Sequence, residues 1–182
     1  MKVVKPSDEE RDVPRGVVGG AEISQATTGA TNIYMGVFRV PAGARRGSTT
    51  RRTRRLPPKK VVKPSAEERD VPRGVVGGAE ISQATTGATN IYMGVFRVPP
   101  GARSRPHYHE ACESAVYMLS GGLSVKWGDH LEQEVEIGPG DMVYVPPRET
   151  HILQNLSDSE PAEYVVARDS PTEDSVEVPW AG

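Results

Sequence analysis

The stretch 107-HYHEACE-113 decides how this chain is interpreted, together with the later stretch 146-PPRETH-151. Three of the four histidines fall in these two segments. Two histidines separated by one residue on an extended strand point to the same side of a sheet, and neutral imidazole is the commonest protein metal ligand. The two segments together predict a metal site, whereas either segment alone would fit exposed histidines on a sheet surface.

A long internal repeat lies before these segments. Lys2–Arg45 recurs as Lys60–Arg103 at an offset of 58 positions, and the copies differ only where Ala66 and Pro100 replace the residues at positions 8 and 42. The first copy ends before any histidine. We therefore predict three parts: residues 1–45, a partial duplicate of the N-terminal strands without a metal site; residues 46–59, a basic disordered linker; and residues 60–182, one compact β-barrel domain.

Charge is segregated along the chain. Eight basic residues and no acidic one lie between Arg45 and Lys60, so the other residues carry 14 basic against 24 acidic groups, a balance of −10. An acidic domain repels phosphates, so no nucleic-acid partner is expected. The sequence shows no signal peptide or membrane span, and its single cysteine excludes an intrachain disulfide. A reducing cytoplasm is the expected compartment, with no membrane partner.

Short β-type segments separated by glycine and proline predict an all-β sandwich or barrel with no convincing helix. The repeat predicts the strand pairs Glu22–Thr27 with Asn32–Val40 and Glu80–Thr85 with Asn90–Val98, after an irregular start. The remaining predicted strands are Ala115–Leu119, Leu123–Trp127, Gln133–Ile137, Met142–Val145, His151–Asn155 and Ala162–Ala167, with an edge strand in the tail near Val176.

The two histidine segments resemble the paired motifs of the cupin superfamily. The first reads glycine, five residues, His-x-His, then a glutamate and a later glycine, and is similar to 101-GARSRPHYHEACE-113. The second matches 140-GDMVYVPPRETHILQN-155 at every spacing, with Arg148 where glycine is usual. The resemblance implies a cupin-type double-stranded β-helix, a jelly-roll barrel. It also implies that His107, His109, Glu113 and His151 bind a divalent transition metal (Fe, Mn, Ni, Co, Cu or Zn).

The fourth ligand has two candidates. Glu113 lies at the right distance after the histidines, but counting back from Gly121 by the family spacing gives Ser114. Glu113 is preferred because a carboxylate is a good ligand for divalent metals and serine is a poor one. This choice requires one extra residue, such as a bulge, in the following strand.

Four other residues lie near the motifs and have candidate roles. Arg148 either adds a cation at the barrel mouth or lies on an exposed turn. Gln154 and Asn155 are candidates to hold the histidines, and Cys112 is interpreted as a small buried residue.

The cupin resemblance implies a small-molecule substrate and an oxygenase, isomerase or lyase reaction, without choosing among them. The alternative is a non-catalytic module that binds a small ligand or a metal, and a third option is a duplicated chain with a damaged site. The expected assembly is a homodimer, with strand exchange as one form of it.

Loop closure decides which copy joins the barrel. His107 follows Val98 by nine residues and Val40 by 67. The difference in closure entropy is about (3/2)RT ln(67/9), roughly 1.8 kcal/mol in favour of the second copy. We therefore expect Ala79–Val98 in the barrel, and the first copy loose or docked elsewhere.

Overall fold

The computed structural model describes residues 1–5, 12–13, 17–39, 61–63, 70–71 and 74–179. In chain order its strands are β1 Lys2–Val4, β2 Asp12–Val13, β3 Val17–Ile23, β4 Met35–Arg39, β5 Asp70–Val71, β6 Val75–Ile81, β7 Tyr92–Val98, β8 His107–His109, β9 Ser114–Ser120, β10 Leu123–Trp127, β11 Gln133–Ile137, β12 Met142–Val145, β13 His151–Asn155, β14 Ala162–Arg168 and β15 Ser175–Glu177. The two helices in these ranges are α1 Gln25–Thr28 and α2 Gln83–Thr86. Neither helix has the length or the apolar character to cross a membrane.

Two antiparallel sheets form the barrel. The larger has the order β1-β12-β9-β14-β7-β6-β5, and the smaller has the order β11-β10-β13-β8-β15. The predicted all-β jelly-roll class is confirmed. Strands β10 to β13 have the predicted bounds, and the tail adds β15 as an edge strand next to β8.

The main core lies between these two sheets and contains side chains from both. Strand β14 shows the period of two that a half-buried strand requires, with Tyr164 and Val166 inside and Glu163 and Val165 more accessible. Phe96 of β7 stacks on Tyr164 with ring centroids 5.8 Å apart. Each such fully buried side chain stabilises the fold by about 1.5–3 kcal/mol.

The structure corrects the expectation of strands over Glu22–Thr27 and Glu80–Thr85, and of a chain without helices. Each strand ends after its isoleucine, and a single helical turn follows. The Ser24 and Thr27 side chains form a capping box, and Ser82 and Thr85 repeat it in the second copy. This local hydrogen bonding favours a helix start over continued strand.

The strands before these turns also begin earlier than predicted, at Val17 and Val75, where the prediction was irregular chain. Irregular chain was predicted because this stretch is polar and is broken by Pro6, Pro14 and Gly16 in the first copy. At Gly77, an added Cβ would lie 2.5 Å from the Val95 carbonyl oxygen of the paired strand. Glycine is therefore required by the close approach of the two backbones.

The two copies of the repeat occupy different places. The barrel uses β6 and β7 of the second copy, which loop closure favours, whereas β2, β3 and β4 of the first copy form a separate sheet. Strand β1 of the first copy differs from the expectation, because it joins the larger barrel sheet beside β12. Ala30, Ile33 and Met35 of the first copy pack on the outer side of β9 and β12. The predicted basic linker, residues 46–59, lies outside the described residues.

Candidate metal centre

Three histidines converge inside the barrel. His107 and His109 occupy alternate positions of β8, so both face inward, and His151 of β13 pairs directly with His107. One ring nitrogen from each residue lies within 4.8 Å of those of the other two. The ring centroids are 4.4 to 5.7 Å apart. All three side chains are buried, so they do not lie on a solvated sheet surface, and their converging nitrogens could hold a metal ion.

The Nδ1 atom of each imidazole forms a hydrogen bond with an oxygen atom. The carbonyl oxygens of Arg105 and Glu149 lie 2.8 Å from Nδ1 of His107 and His151, respectively. A carboxylate oxygen of Asp174 lies 3.3 Å from Nδ1 of His109. Because these oxygens can only accept, we assign the ring proton to Nδ1, so Nε2 carries the lone pair with which an imidazole would bind a metal.

The histidines line a cavity of about 550 Å³, including the space at its open mouth. One part of its wall is apolar, with aliphatic side chains, Phe96 and Tyr164. The polar part comprises Ser104, His107, His109, Ser114, His151, Arg168 and Glu173. A mainly apolar cavity with a few convergent polar groups is typical of small-molecule sites.

Glu113 does not join the three histidines in the described structure, and the group of converging ligand atoms does not include it. Its carboxylate accepts hydrogen bonds from the backbone amides of Thr31, Asn32 and Ile33 at 2.9 to 3.2 Å. The Thr31 and Tyr144 hydroxyls add bonds of 2.9 and 3.0 Å. Burial alone would raise the pKa of Glu113, but these hydrogen bonds lower it below its ordinary value of 4.5.

Ser114 is the neighbour that lines the cavity. Strand β9 does carry the extra residue that the Glu113 assignment required: Glu163 pairs with Ser120 and Tyr164 with Met118, so Leu119 is a bulge. The bulge lies beyond the first residues of β9 and leaves Ser114 facing the histidines. The Ser114 hydroxyl oxygen is buried and has no hydrogen-bond partner in the described structure.

Arg168 is the site residue that sequence reasoning missed. It is 7 % exposed, pairs with Glu173 at 2.8 Å, and places its guanidinium carbon 4.7 Å from the Tyr92 ring centre. One guanidinium nitrogen lies 3.5 Å from Nε2 of His109. Burial lowers the pKa of Arg168, but the charges and partial charges of Glu173, Tyr92, Cys112 and Tyr164 together raise it above its ordinary value. The signal was available, because Arg168 ends the inward series 162, 164, 166, 168 of β14.

The sequence profile described as "Cupin domain" matches residues 94–168. The curated protein named "Protein SchB" from Streptomyces halstedii is 35% identical over 95 residues, which are 50% of this chain and 67% of that protein. The chain belongs to the cupin superfamily.

Solved cupin structures agree in fold. An oxalate decarboxylase–formate complex from Lactobacillus farciminis has a TM-score of 0.53 at 20% identity, covering 64% of this chain and 33% of that one. A recombinant oxalate oxidase with glycolate has a TM-score of 0.55 at 18% identity, covering 64% and 62%. Oxalate decarboxylase from Bacillus subtilis gives 0.52 at 21%, covering 62% and 29%. This cupin thus spans about a third of the decarboxylase chains, and the likeness concerns the fold.

Asp174 links Cys112 to the histidines of this cupin. The Cys112 thiol is buried and donates to Asp174 at 3.1 Å, and the same carboxylate holds His109. Burial, followed by the Asp174 hydrogen bond, raises the pKa of Cys112 to about 12. Cys112 is therefore a neutral thiol that helps to orient Asp174, in line with its interpretation as a buried residue.

The remaining motif residues have structural positions. Arg148 has a φ of 62°, the left-handed conformation that glycine usually supplies, and its amide donates to the His109 carbonyl oxygen at 2.8 Å. Its side chain is 73% exposed, so the exposed-turn interpretation holds. The Asn155 amide group donates to the backbone oxygens of residues 98, 99 and 160. Asn155 therefore fixes a loop rather than a histidine.

Proposed function

We propose that this cupin binds a divalent transition metal through His107, His109 and His151 and acts on a small anionic molecule. The convergence of three buried imidazoles, each held through Nδ1, is the observation that carries the proposal. Three imidazoles accept Fe, Mn, Ni, Co, Cu or Zn, so the donor set fits a metal without selecting one. A bound metal would supply a Lewis acid and positions for a chelating ligand.

The anionic ligand is proposed from the cavity wall. Nε of Arg168 and the hydroxyl oxygen of Ser114 are buried polar atoms without a hydrogen-bond partner in the described structure, and both residues line the cavity. A buried unpaired polar atom costs about 1–3 kcal/mol, and a bound carboxylate would satisfy both atoms. Formate and glycolate complexes and Mn(II) centres occur in structures with the same fold, which supports small carboxylates as probes and manganese as one candidate.

A non-catalytic module that binds a small ligand is the second candidate. Glu173 is the one carboxylate in the described cavity wall, and it forms an ion pair with Arg168 at 2.8 Å, so the described wall offers no carboxylate outside an ion pair as a general base. For the catalytic candidate, the resemblance implies a reaction of the oxygenase, isomerase or lyase type. Oxygen uptake over a panel of catechols, diketones and thiols separates an oxygenase from a binding module.

Metal binding is tested by elemental analysis of the purified, metal-supplemented protein. His151→Ala removes one of three ligands, so we expect metal content to fall at least tenfold. His130→Ala is the matched control, because His130 is exposed and belongs to no metal-binding group in the described structure. Full metal occupancy in His151→Ala, or an equal loss in both variants, would refute the three-histidine site.

Anion binding is tested with oxalate by calorimetry on the metal-loaded protein. Arg168→Lys keeps the charge but loses the planar fork that matches a carboxylate. We expect oxalate affinity to fall about tenfold while metal content is retained. Arg148→Lys, on an exposed side chain, should leave affinity unchanged. Equal affinities for wild type and Arg168→Lys would remove Arg168 from the binding site.

A further inference from the structure

The two copies of the repeat bury opposite faces of the same sequence. Ile33 and Met35 of the first copy pack against the outer side of β9 and β12, whereas their counterparts Ile91 and Met93 are 46% and 38% exposed. The reverse holds one position along: Tyr34 of the first copy is 57% exposed, and its counterpart Tyr92 is buried in the barrel. Each copy therefore leaves bare the apolar face that the other copy uses.

The surface that receives the first copy is built around Glu113. We call it the clasp; it consists of Glu113, Ala115, Met142 and Tyr144. Ala30 packs against the apolar residues of the clasp and is only 2% exposed. The backbone amides of the next three residues, 31–33, donate to the Glu113 carboxylate. Residues 88–91 have the same sequence as residues 30–33. The clasp therefore fits either copy equally well in sequence.

The edge of the larger sheet provides a second contact of the same kind. Strand β1 of the first copy pairs with β12, with Val3 opposite Val143, and Val3 packs against the main core. The counterpart of Val3 in the second copy is Val61, which is 83% exposed. The second copy thus contains counterparts of both segments with which the first copy contacts the barrel, and Val61 and Ile91 in these counterparts are exposed.

We propose that the clasp and the β12 edge form a self-association surface whose occupant is the second copy of the repeat from another molecule of this chain. The first copy covers this surface within its own molecule. Since every molecule carries both the surface and the second copy, the exchange is reciprocal: two molecules bind each other through the same pair of surfaces, which closes a two-fold dimer.

Tethering decides between the two occupants. The first copy competes at an effective concentration on the order of millimolar, whereas the second copy of another molecule competes at the protein concentration. The first copy therefore acts as a built-in inhibitor of dimer formation. Displacing it should expose the surface to the second copy of a partner molecule.

The repeat itself supplies matched variants for a test in the full chain. Ala30→Asp places a carboxylate in the clasp beside Glu113 and displaces the first copy, whereas Ala88→Asp makes the same change in the second copy. We expect Ala30→Asp to lower the dimer dissociation constant at least tenfold relative to wild type. Ala88→Asp should not lower it, and the double variant Ala30→Asp/Ala88→Asp should lose the gain. Sedimentation velocity over about 1–100 µM protein measures all four constants.

A milder pair guards against loss of folding. Asn32→Pro deletes one amide that donates to Glu113, and Asn90→Pro makes the same change in the second copy. Both asparagines are exposed, so the barrel should stay folded, which circular dichroism verifies. We again expect a lower dimer dissociation constant for the first-copy variant Asn32→Pro and not for Asn90→Pro. Equal constants for the two members of either pair, or a double variant that dimerises like Ala30→Asp, would overturn the proposal, whatever the metal content.

Discussion

Glu113 lies at the position of a family motif, and its carboxylate contacts the first copy of the repeat in the structure. Its spacing after the histidines made it the preferred fourth metal ligand, and a carboxylate is the better ligand chemistry. In the structure, the Glu113 carboxylate accepts hydrogen bonds from the first copy of the repeat and from the Tyr144 hydroxyl. The neighbouring residue Ser114 lines the cavity instead. A carboxylate that already accepts several hydrogen bonds loses them if it turns toward a metal.

Glu113→Gln separates the two roles. The glutamine NH2 group is a donor and would face the backbone amides of residues 31–33, which are also donors. We therefore expect the free energy of unfolding to fall by about 1–3 kcal/mol. Metal content should stay unchanged. Urea denaturation and elemental analysis measure the two effects on the same sample. Loss of metal with unchanged stability would support Glu113 as the fourth ligand. Ser114→Ala is the control, because it changes a side chain that lines the cavity and leaves the Glu113 carboxylate in place.

At the scale of elements, sequence patterns predicted strands best where alternation was regular. Strands β10 to β13 matched because short apolar runs end at clear Gly and Pro turns. The turns at Ser24 and Ser82 were missed because a four-residue helix has no periodicity to detect, and its capping box uses Ser and Thr rather than the usual glutamate. Arg168 was not predicted because it lies outside the two motifs, although its position in the alternation of β14 places it inside the barrel.

The contact between residues 31–33 and Glu113 should depend on pH. The lowered pKa of Glu113 means that its contribution to docking is complete above the ordinary carboxyl value of 4.5 and is lost as pH falls through the lowered pKa. The Tyr144 hydroxyl donates to the Glu113 carboxylate, and the Asp169 carboxylate accepts a hydrogen bond from the Glu113 backbone amide. Tyr144, whose pKa burial and the Glu113 hydrogen bond raise to about 12, stays neutral over this range.

Amide NMR signals measured between about pH 6 and pH 3 test this dependence. We expect the signals of residues 31–33 to shift with the Glu113 titration while those of the identical residues 89–91 do not. Since the two segments share one sequence, the second copy is an internal control. Parallel shifts in both copies would show that Glu113 does not hold the first copy.

At the scale of the whole molecule, the duplication could be read from the sequence, but its consequence could not. Loop closure selected the second copy for the barrel, because that choice depends only on chain length. Where the first copy docks depends on Ala115, Met142 and Tyr144 forming one outer surface, and these positions meet only after the sheet has formed. Sequence alternation assigns such residues to a face but does not say what covers that face.

Deleting residues 2–59 tests this division of the chain. All three histidines and strands β5 to β15 remain, so we expect a folded protein that retains its metal content. Deleting the first copy exposes the clasp. The second copy of another molecule can then cover the clasp, but only when the two molecules associate. The melting temperature of the truncated protein should therefore rise with protein concentration, while that of the full chain should not. Calorimetric scans over about a hundredfold range of concentration measure this dependence. A truncated protein that is unfolded at every concentration would show that the first copy is part of the barrel's folding unit, since neither a metal nor a partner molecule could then replace it.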